Sequence, residues 1–395
     1  MSNQFLSMMQ EFQSAYLTDL AEMVNIDCGT ETKSGVDKVG DMMRRHFASI
    51  DAAVQTFPQT HYGDCLLGTV RGSGDARIFM IGHLDTVYPV GTAAARPMRR
   101  EGDRLLGPGV CDMKDGLLAG IYALRLLQAA GWNDFAEIRY FCNTDEEVGS
   151  PASRAIYPTF VAGCDAALVL ESGRPNGDIV TARKGSAFYT LDITGRAAHA
   201  GVEPEKGASA ILALAHLTVA LHALNGARPG ITVNVGVVSG GTKGNVVPAE
   251  AHAQVDVRAL TTEDLAFVDT RVHELAAEPS VPGVRVRVTG GSDNPPMPRL
   301  AASARLAEIA QVAAAEMGFT VGENLSGGVS DANYCAAQGV PTLDGLGPVG
   351  GQDHSPAEYL EVDSIVPRVA MLARLLQLIA EEAPALRALR PGASS

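Results

Sequence analysis

The sequence predicts an α/β protein in which a mainly parallel sheet is interrupted by a small ferredoxin-like module. Short apolar runs that end in polar residues alternate with helical stretches along the first half of the chain, as in a sheet covered on both faces. Between residues 184 and 294 the order becomes strand, helix, strand, strand, helix, strand, the split β-α-β arrangement. Length and composition agree, because 395 residues with 46% hydrophobic and 19% charged can bury more than one core.

Phe5, Met9, Phe12, Tyr16, Leu20 and Met23 recur every three or four positions and predict an amphipathic helix over 5–24. A second helix is expected over 36–50. Apolar strands follow at 78–81, 138–141 and 166–170, with a helix over 116–130 closed by Gly131. Within the module, strands are expected at 187–194, 231–238, 249–258 and 284–288, and helices at 208–224 and 263–277. Pro295, Pro296 and Pro298 mark the return to the first domain, since proline stops both helix and ladder. Helices then cover 303–317 and 365–382. The domain reading is a main domain of 1–183 and 295–395, with 184–294 inserted as a lid.

Charge narrows the partners. Lys plus Arg total 31 against 45 for Asp plus Glu, a formal charge of −14, and no basic run stands out. Nucleic acid is therefore not expected as a partner. No apolar run approaches about 18 residues, so no membrane span is expected. The first twenty residues carry Glu11 and Asp19 without a basic region followed by an apolar stretch, which is unlike a secretory signal. The six cysteines are scattered with no C-x-x-C pair and read as reduced thiols, so a cytoplasmic location is expected.

Ligand-type residues follow the predicted strands directly. His83 and Asp85 follow the first, Glu146 and Glu147 the second, and Glu171 the third. In open α/β sheets the carboxyl ends of strands line the ligand crevice, so three separate segments converge there. Asp112 precedes the helix over 116–130, and Gly350-Gly351-Gln352-Asp353-His354 offers another imidazole in a glycine-rich loop. Imidazoles and carboxylates without thiolates suit zinc, with manganese or cobalt as substitutes. In an extended segment Asp85 lies on the side of His83 and can fix its tautomer, while Glu146 and Glu147 point apart, one toward metal and one toward protons. Taken singly, an H-x-D is common by chance, paired glutamates usually form a solvated face, and Glu171 could cap a turn. Their coincidence at one sheet edge carries the metal-site reading. Cys111 and Cys142 flank the region as packing residues. No G-x-S-x-G elbow supports a serine hydrolase, and no phosphate loop supports a nucleotide enzyme.

The stretches GHLDTVYP, GPGVCDMKDG, NTDEEVGS, LESG, GRAAHAGVEPEKGASA, GNVVPAEAHAQVDVR, GGVSDANYCA and QDHSPAEY run in this order from residue 82 to 359. They resemble the co-catalytic dizinc aminoacylase and carboxypeptidase family, nearest its glutamate carboxypeptidase branch. The resemblance implies two divalent metal ions bridged by Asp112, with His83 and Glu171 completing one site and Glu147 and His354 the other. It implies Glu146 as general base, Asp85 as the residue orienting His83, and His199 as oxyanion stabiliser reaching a partner subunit's site. Asn245 and Arg258 are implied as grips on a substrate carboxylate, and the guanidinium fork suits that task. A surface salt bridge is the other reading of Arg258, on the polar face of an alternating strand.

The family's pattern is not followed everywhere. Asp115 stands where small residues are common. GGSDNPPM lacks an arginine, and the stretch around Ile179 lacks a lysine, of the glutamate-specific relatives; Arg183 or Lys184 could substitute. The expected activity is hydrolysis of the C-terminal amide of an N-acyl amino acid or small peptide, releasing glutamate. The alternatives are an aminoacylase or amidohydrolase acting on another small N-acyl or aromatic acid, and a metal-binding protein without turnover. A homodimer is expected through the sheet edge of the inserted module.

Overall fold

The computed structural model describes residues 2–390. They form two compact units: one comprises the chain up to Ala182, Arg299–Leu325 and the chain from Ser330, the other Arg183–Pro298 with Ser326–Val329. In the larger unit the main sheet has the order Ala53–Phe57, Cys65–Arg71, Glu137–Asn143, Arg77–His83, Ala166–Val169, Thr342–Leu343. Arg77–His83 runs parallel to both neighbours, and Thr342–Leu343 adds parallel beyond Ala166–Val169. Ile78, Phe79, Met80 and Ile81 are all fully buried, which is why they read as a continuous apolar run.

Cys65–Arg71 pairs antiparallel with Glu137–Asn143 and with Ala53–Phe57. Sequence analysis does not anticipate this outer hairpin. Ala53–Phe57 is exposed at four of its five positions, so no alternation marks it as a strand. The helices Ser2–Val24, Lys114–Ala129 and Val362–Ala388 pack against one another. Phe5, Met9, Tyr16, Leu20 and Met23 are buried in the same core, as their spacing requires. The last helix runs past the expected end at residue 382 and through Pro384. Ala383 and Leu386 are buried, and Arg387 reaches both Asp165 oxygens at 2.7 and 2.8 Å, so tertiary contacts outweigh the lost backbone bond.

The smaller unit carries one antiparallel sheet in the order Thr232–Gly240, Glu250–Ala259, Gly185–Thr194, Arg285–Asn294, the ferredoxin-like order. Its helices, Ala210–His222 and Thr262–Ala277, begin at Ser209 and Thr261, whose hydroxyls accept from the backbone N–H groups of Leu212 and Asp264. Leu191, Leu214, Val255 and Val268 belong to a core separate from that of the larger unit. Among the described residues, no helix is long and apolar enough to cross a membrane.

Candidate metal centre

His83 ends the strand Arg77–His83 and is almost fully buried. Its Nε2 lies 3.0 Å from Asp112 Oδ1 and 3.7 Å from Glu171 Oε1. Its Nδ1 lies 3.0 Å from the carbonyl oxygen of Asp85 and 3.4 Å from Asp85 Oδ1. On the other side of Asp112, His354 Nε2 is 3.1 Å from Asp112 Oδ2 and 3.1 Å from Glu147 Oε2. The two oxygens of Asp112 therefore face two separate imidazole–carboxylate pairs.

Two features help to hold Asp112 there. The helix Lys114–Ala129 docks closely, since a Cβ on Gly116 would lie 1.9 Å from the Leu170 carbonyl oxygen, one residue before Glu171. Glu358, 1% exposed, accepts backbone N–H bonds from Gly109, Cys111 and Asp112 at 2.9–3.1 Å and a 2.7 Å bond from the Tyr88 hydroxyl. Sequence reasoning singled out neither Glu358 nor Asp331. Asp331 accepts bonds from Asn143, Ser150 and Tyr157, fixing the segment that follows Asn143.

The segment of Glu146 and Glu147 is a short 3₁₀ turn, Glu146–Val148, rather than the extended strand end expected. Gly149, at φ 86°, closes the turn in a conformation that glycine adopts without strain. The backbone N–H groups of Glu146 and Glu147 point to the Asp85 carboxylate at 3.3 Å. Thr30 donates to the same carboxylate at 2.7 Å, so Asp85 joins three segments. His354 sits at φ 61°, a strained value for a residue with a side chain, of the kind found at functional sites.

Burial would raise the Asp112 carboxyl, but hydrogen bonds from His354 and His83 outweigh it and hold the group below its usual range. The Asp112 and Glu147 carboxylates push His354 up to about 11. Burial pushes Glu146 well up against the pull of His83, with repulsion from Glu171, Asp331 and Glu147 added. So concentrated a negative potential favours a cation. One ligand atom each from His83, Asp112 and Glu147 lies within 4.8 Å of the others, and Glu147 Oε1 is buried without a hydrogen-bond partner. Imidazole and carboxylate donors in this number fit divalent zinc, manganese or cobalt.

A profile of the peptidase family M20/M25/M40 matches residues 79–378. The chain belongs to this family. As an M20 member it is a hydrolytic enzyme. It is 30% identical over 369 residues to carboxypeptidase G2 of Pseudomonas sp. strain RS-16, covering 92% of this chain and 89% of that protein. It is 27% identical over 347 residues to a putative succinyl-diaminopimelate desuccinylase, DapE, of Mycobacterium tuberculosis strain CDC 1551 / Oshkosh, covering 83% of this chain and 90% of that protein. The fold matches that of aminopeptidase PepT from Bacillus cereus ATCC 10987 with a TM-score of 0.80 at 24% identity, over 93% of this chain and 99% of that one.

The remaining residues expected at the M20 site lie in the smaller unit. His199 is exposed and forms a backbone bridge to Val246, while the N–H of Ala200 donates to the Asn245 carbonyl at 3.0 Å. Arg258 lies on the polar face of Glu250–Ala259, and its Nε and Nη2 donate to both oxygens of Asp256 at 3.0 and 2.9 Å. The fork is thus already matched to one carboxylate, over the ring of Phe188. Arg183 is not available as a substitute grip. It is 4% exposed and donates to Ser326 Oγ and the Gly328 carbonyl.

Proposed function

We propose that this M20 enzyme is a dinuclear-metal amidohydrolase that cleaves the C-terminal amide of an N-acyl amino acid or small peptide, releasing glutamate. The observation that carries this reading is Asp112, whose two oxygens face His83 with Glu171 on one side and His354 with Glu147 on the other. Asp112, His83, Glu171, His354 and Glu147 would hold two divalent ions, zinc first. Such ions would supply Lewis-acid polarisation of the scissile carbonyl and lower the pKa of the attacking water. Glu146 takes the proton from that water and passes it to the leaving amine. Asp85 fixes the orientation of His83. His199 stabilises the oxyanion, and Asn245 and Arg258 grip the substrate's carboxylate, for which Arg258, its side chain 25% exposed, exchanges the carboxylate of Asp256.

The test is product analysis on N-acyl amino acids with enzyme stripped by chelator and reloaded with zinc, manganese or cobalt. Glutamate release that disappears on chelation and returns with metal is the expected outcome. Replacing Glu146 by Gln is expected to lower kcat about a hundred- to ten-thousand-fold while metal content stays that of the wild type. Wild-type-like turnover in this variant would remove Glu146 from the role of base. Arg258→Ala is expected to raise KM for acidic substrates about tenfold or more, as for a lost charge-assisted bond; equal losses on a neutral amide analogue would end the clamp assignment.

A second reading, release of an amino acid other than glutamate or removal of a small acyl group, is favoured by the commitment of Arg183 to Ser326 and Gly328. In that case the panel shows metal-dependent cleavage with glutamate derivatives ignored. We also propose a homodimer. Val237 and Val238, 54% and 59% exposed on the outer strand Thr232–Gly240, and Val219, 72% exposed on Ala210–His222, support it. Sedimentation is expected to give twice the chain mass, and a monomeric mass in Val219→Asp. A reducing, cytoplasmic setting suits the six cysteines, all buried and free.

A further inference from the structure

A pocket of about 440 Å³ opens in the larger unit between residues 29–32 and 86–90, and Glu147 forms part of its wall. The walls are built before any ligand arrives. Thr30 N–H donates to the Thr86 carbonyl at 3.1 Å, and Thr86 N–H to the Cys28 carbonyl at 2.9 Å. A Cβ on Gly29 would lie 2.3 Å from the Tyr88 carbonyl oxygen, so the two segments approach as closely as glycine allows. Asp27 accepts from the N–H groups of Gly91 and Ala93 at 2.7 Å and pins the loop that carries Val90.

The lining is apolar in a specific way. Val87, Val90 and Val148 are 41%, 71% and 49% exposed at its rim, three branched side chains left facing water. Two of the wall's four hydroxyls are already engaged by carboxylates: Thr30 donates to Asp85 at 2.7 Å, and Tyr88 donates to Glu358 at 2.7 Å. Its only charged side chains are Glu31 and Glu147. With no Arg, Lys or His in the lining, no cationic side chain is there to pair with a carboxylate.

We propose that this pocket is the acyl subsite, taking a neutral apolar acyl group, aromatic by preference, while the carboxylate-bearing half of the substrate lies elsewhere. The assignment rests on the amidohydrolase reading above, in which Glu147 belongs to the reacting centre. In an N-acyl amino acid only the acyl side of the scissile amide is uncharged. A benzoyl ring covers the three valines, whereas an acetyl group leaves most of the space to water.

The test uses the zinc-loaded full chain with the N-benzoyl and N-acetyl derivatives of whichever amino acid it releases fastest. Benzamide, a neutral aromatic amide, serves as a separate binding probe by ligand-observed NMR. Wild type is expected to prefer benzoyl over acetyl at least tenfold in kcat/KM. Val90→Asp and Val148→Asn are each expected to cut that ratio at least tenfold and to abolish benzamide binding. Both valines are half-exposed or more, and circular dichroism checks that the variants fold. Equal turnover of the two acyl groups by wild type, or a ratio unchanged in both variants, overturns the subsite. If no N-acyl amino acid is hydrolysed, the amidohydrolase reading fails and benzamide decides alone. Binding lost in Val90→Asp upholds an apolar aromatic pocket, and no binding to wild type overturns it.

Discussion

Glu358 meets the five proposed metal ligands only at the backbone N–H of Asp112, yet its carboxylate also accepts from Gly109 and Cys111 and so pins the loop over 109–112. Replacing it by Gln puts an amide N–H₂ where an oxygen accepts, so at least one N–H loses its partner. Zinc affinity is expected to fall about ten- to a hundredfold in Glu358→Gln, read by competition with a chromogenic chelator. An unchanged affinity would reduce Glu358 to a fold residue. Arg368, 2% exposed, donates to the carbonyls of Gly347, Gly177 and Gly345. Arg368→Met leaves those carbonyls unsatisfied and is expected to cost about 3 kcal/mol or more in denaturant unfolding. At this scale the sequence was partly legible. His83, Glu146 and Glu171 stand right after apolar runs, and that position announces them. Glu358 and Asp331 are single acids in loops, and nothing in a linear pattern shows which backbone amides they will meet. Arg183 misled for the complementary reason: its charge suggests a ligand grip, and only its burial shows that the charge is already used.

Among elements, the helix Lys114–Ala129 is the most tightly placed, buried at almost every position of its first three turns. Gly116→Ala forces a Cβ into the Leu170 carbonyl and must push the helix from the sheet. The expected loss is about 1–3 kcal/mol of stability, with zinc binding weakened as well because Glu171 follows Leu170 directly. The helix Lys33–Ala48 offers a pH test. Burial holds the His46 imidazole below its usual pKa, only partly countered by Asp19, and the Arg125 guanidinium donates to Nδ1 at 3.1 Å, which requires a neutral ring. The unfolded chain therefore takes up this proton first. Stability is full above about pH 6.5 and falls as pH drops through that value toward the depressed one. His46→Gln is expected to flatten the urea-midpoint slope between pH 7 and 5.5; an identical slope would refute the assignment. Long helices were legible because their period repeats, and the central strands at 78–81, 138–141 and 166–170 because they are short apolar runs. The sheet of Gly350–Gly351, Tyr359–Glu361, Arg104–Leu106 and Arg99–Glu101 was not, since strands of two or three residues have no period to show.

For the molecule as a whole, all five proposed ligands belong to the larger unit, while the smaller unit has a core of its own. Zinc is expected to slow hydrogen exchange around residues 83–85, 109–118 and 145–150 and to leave the strands Gly185–Thr194 and Glu250–Ala259 unchanged. Protection spread evenly over both units would contradict this. The insertion also sets an order of birth. The larger unit is written in three stretches of chain, and the helix Val362–Ala388, which completes its core, is translated last. At 5–20 residues per second, its first 182 residues wait on the order of ten to forty seconds for that helix to leave the ribosome. The smaller unit, nearly continuous in sequence, can finish folding during the wait. The nascent chain is therefore expected to mature from the middle outward, with apolar surface of its unfinished sheet exposed for that interval.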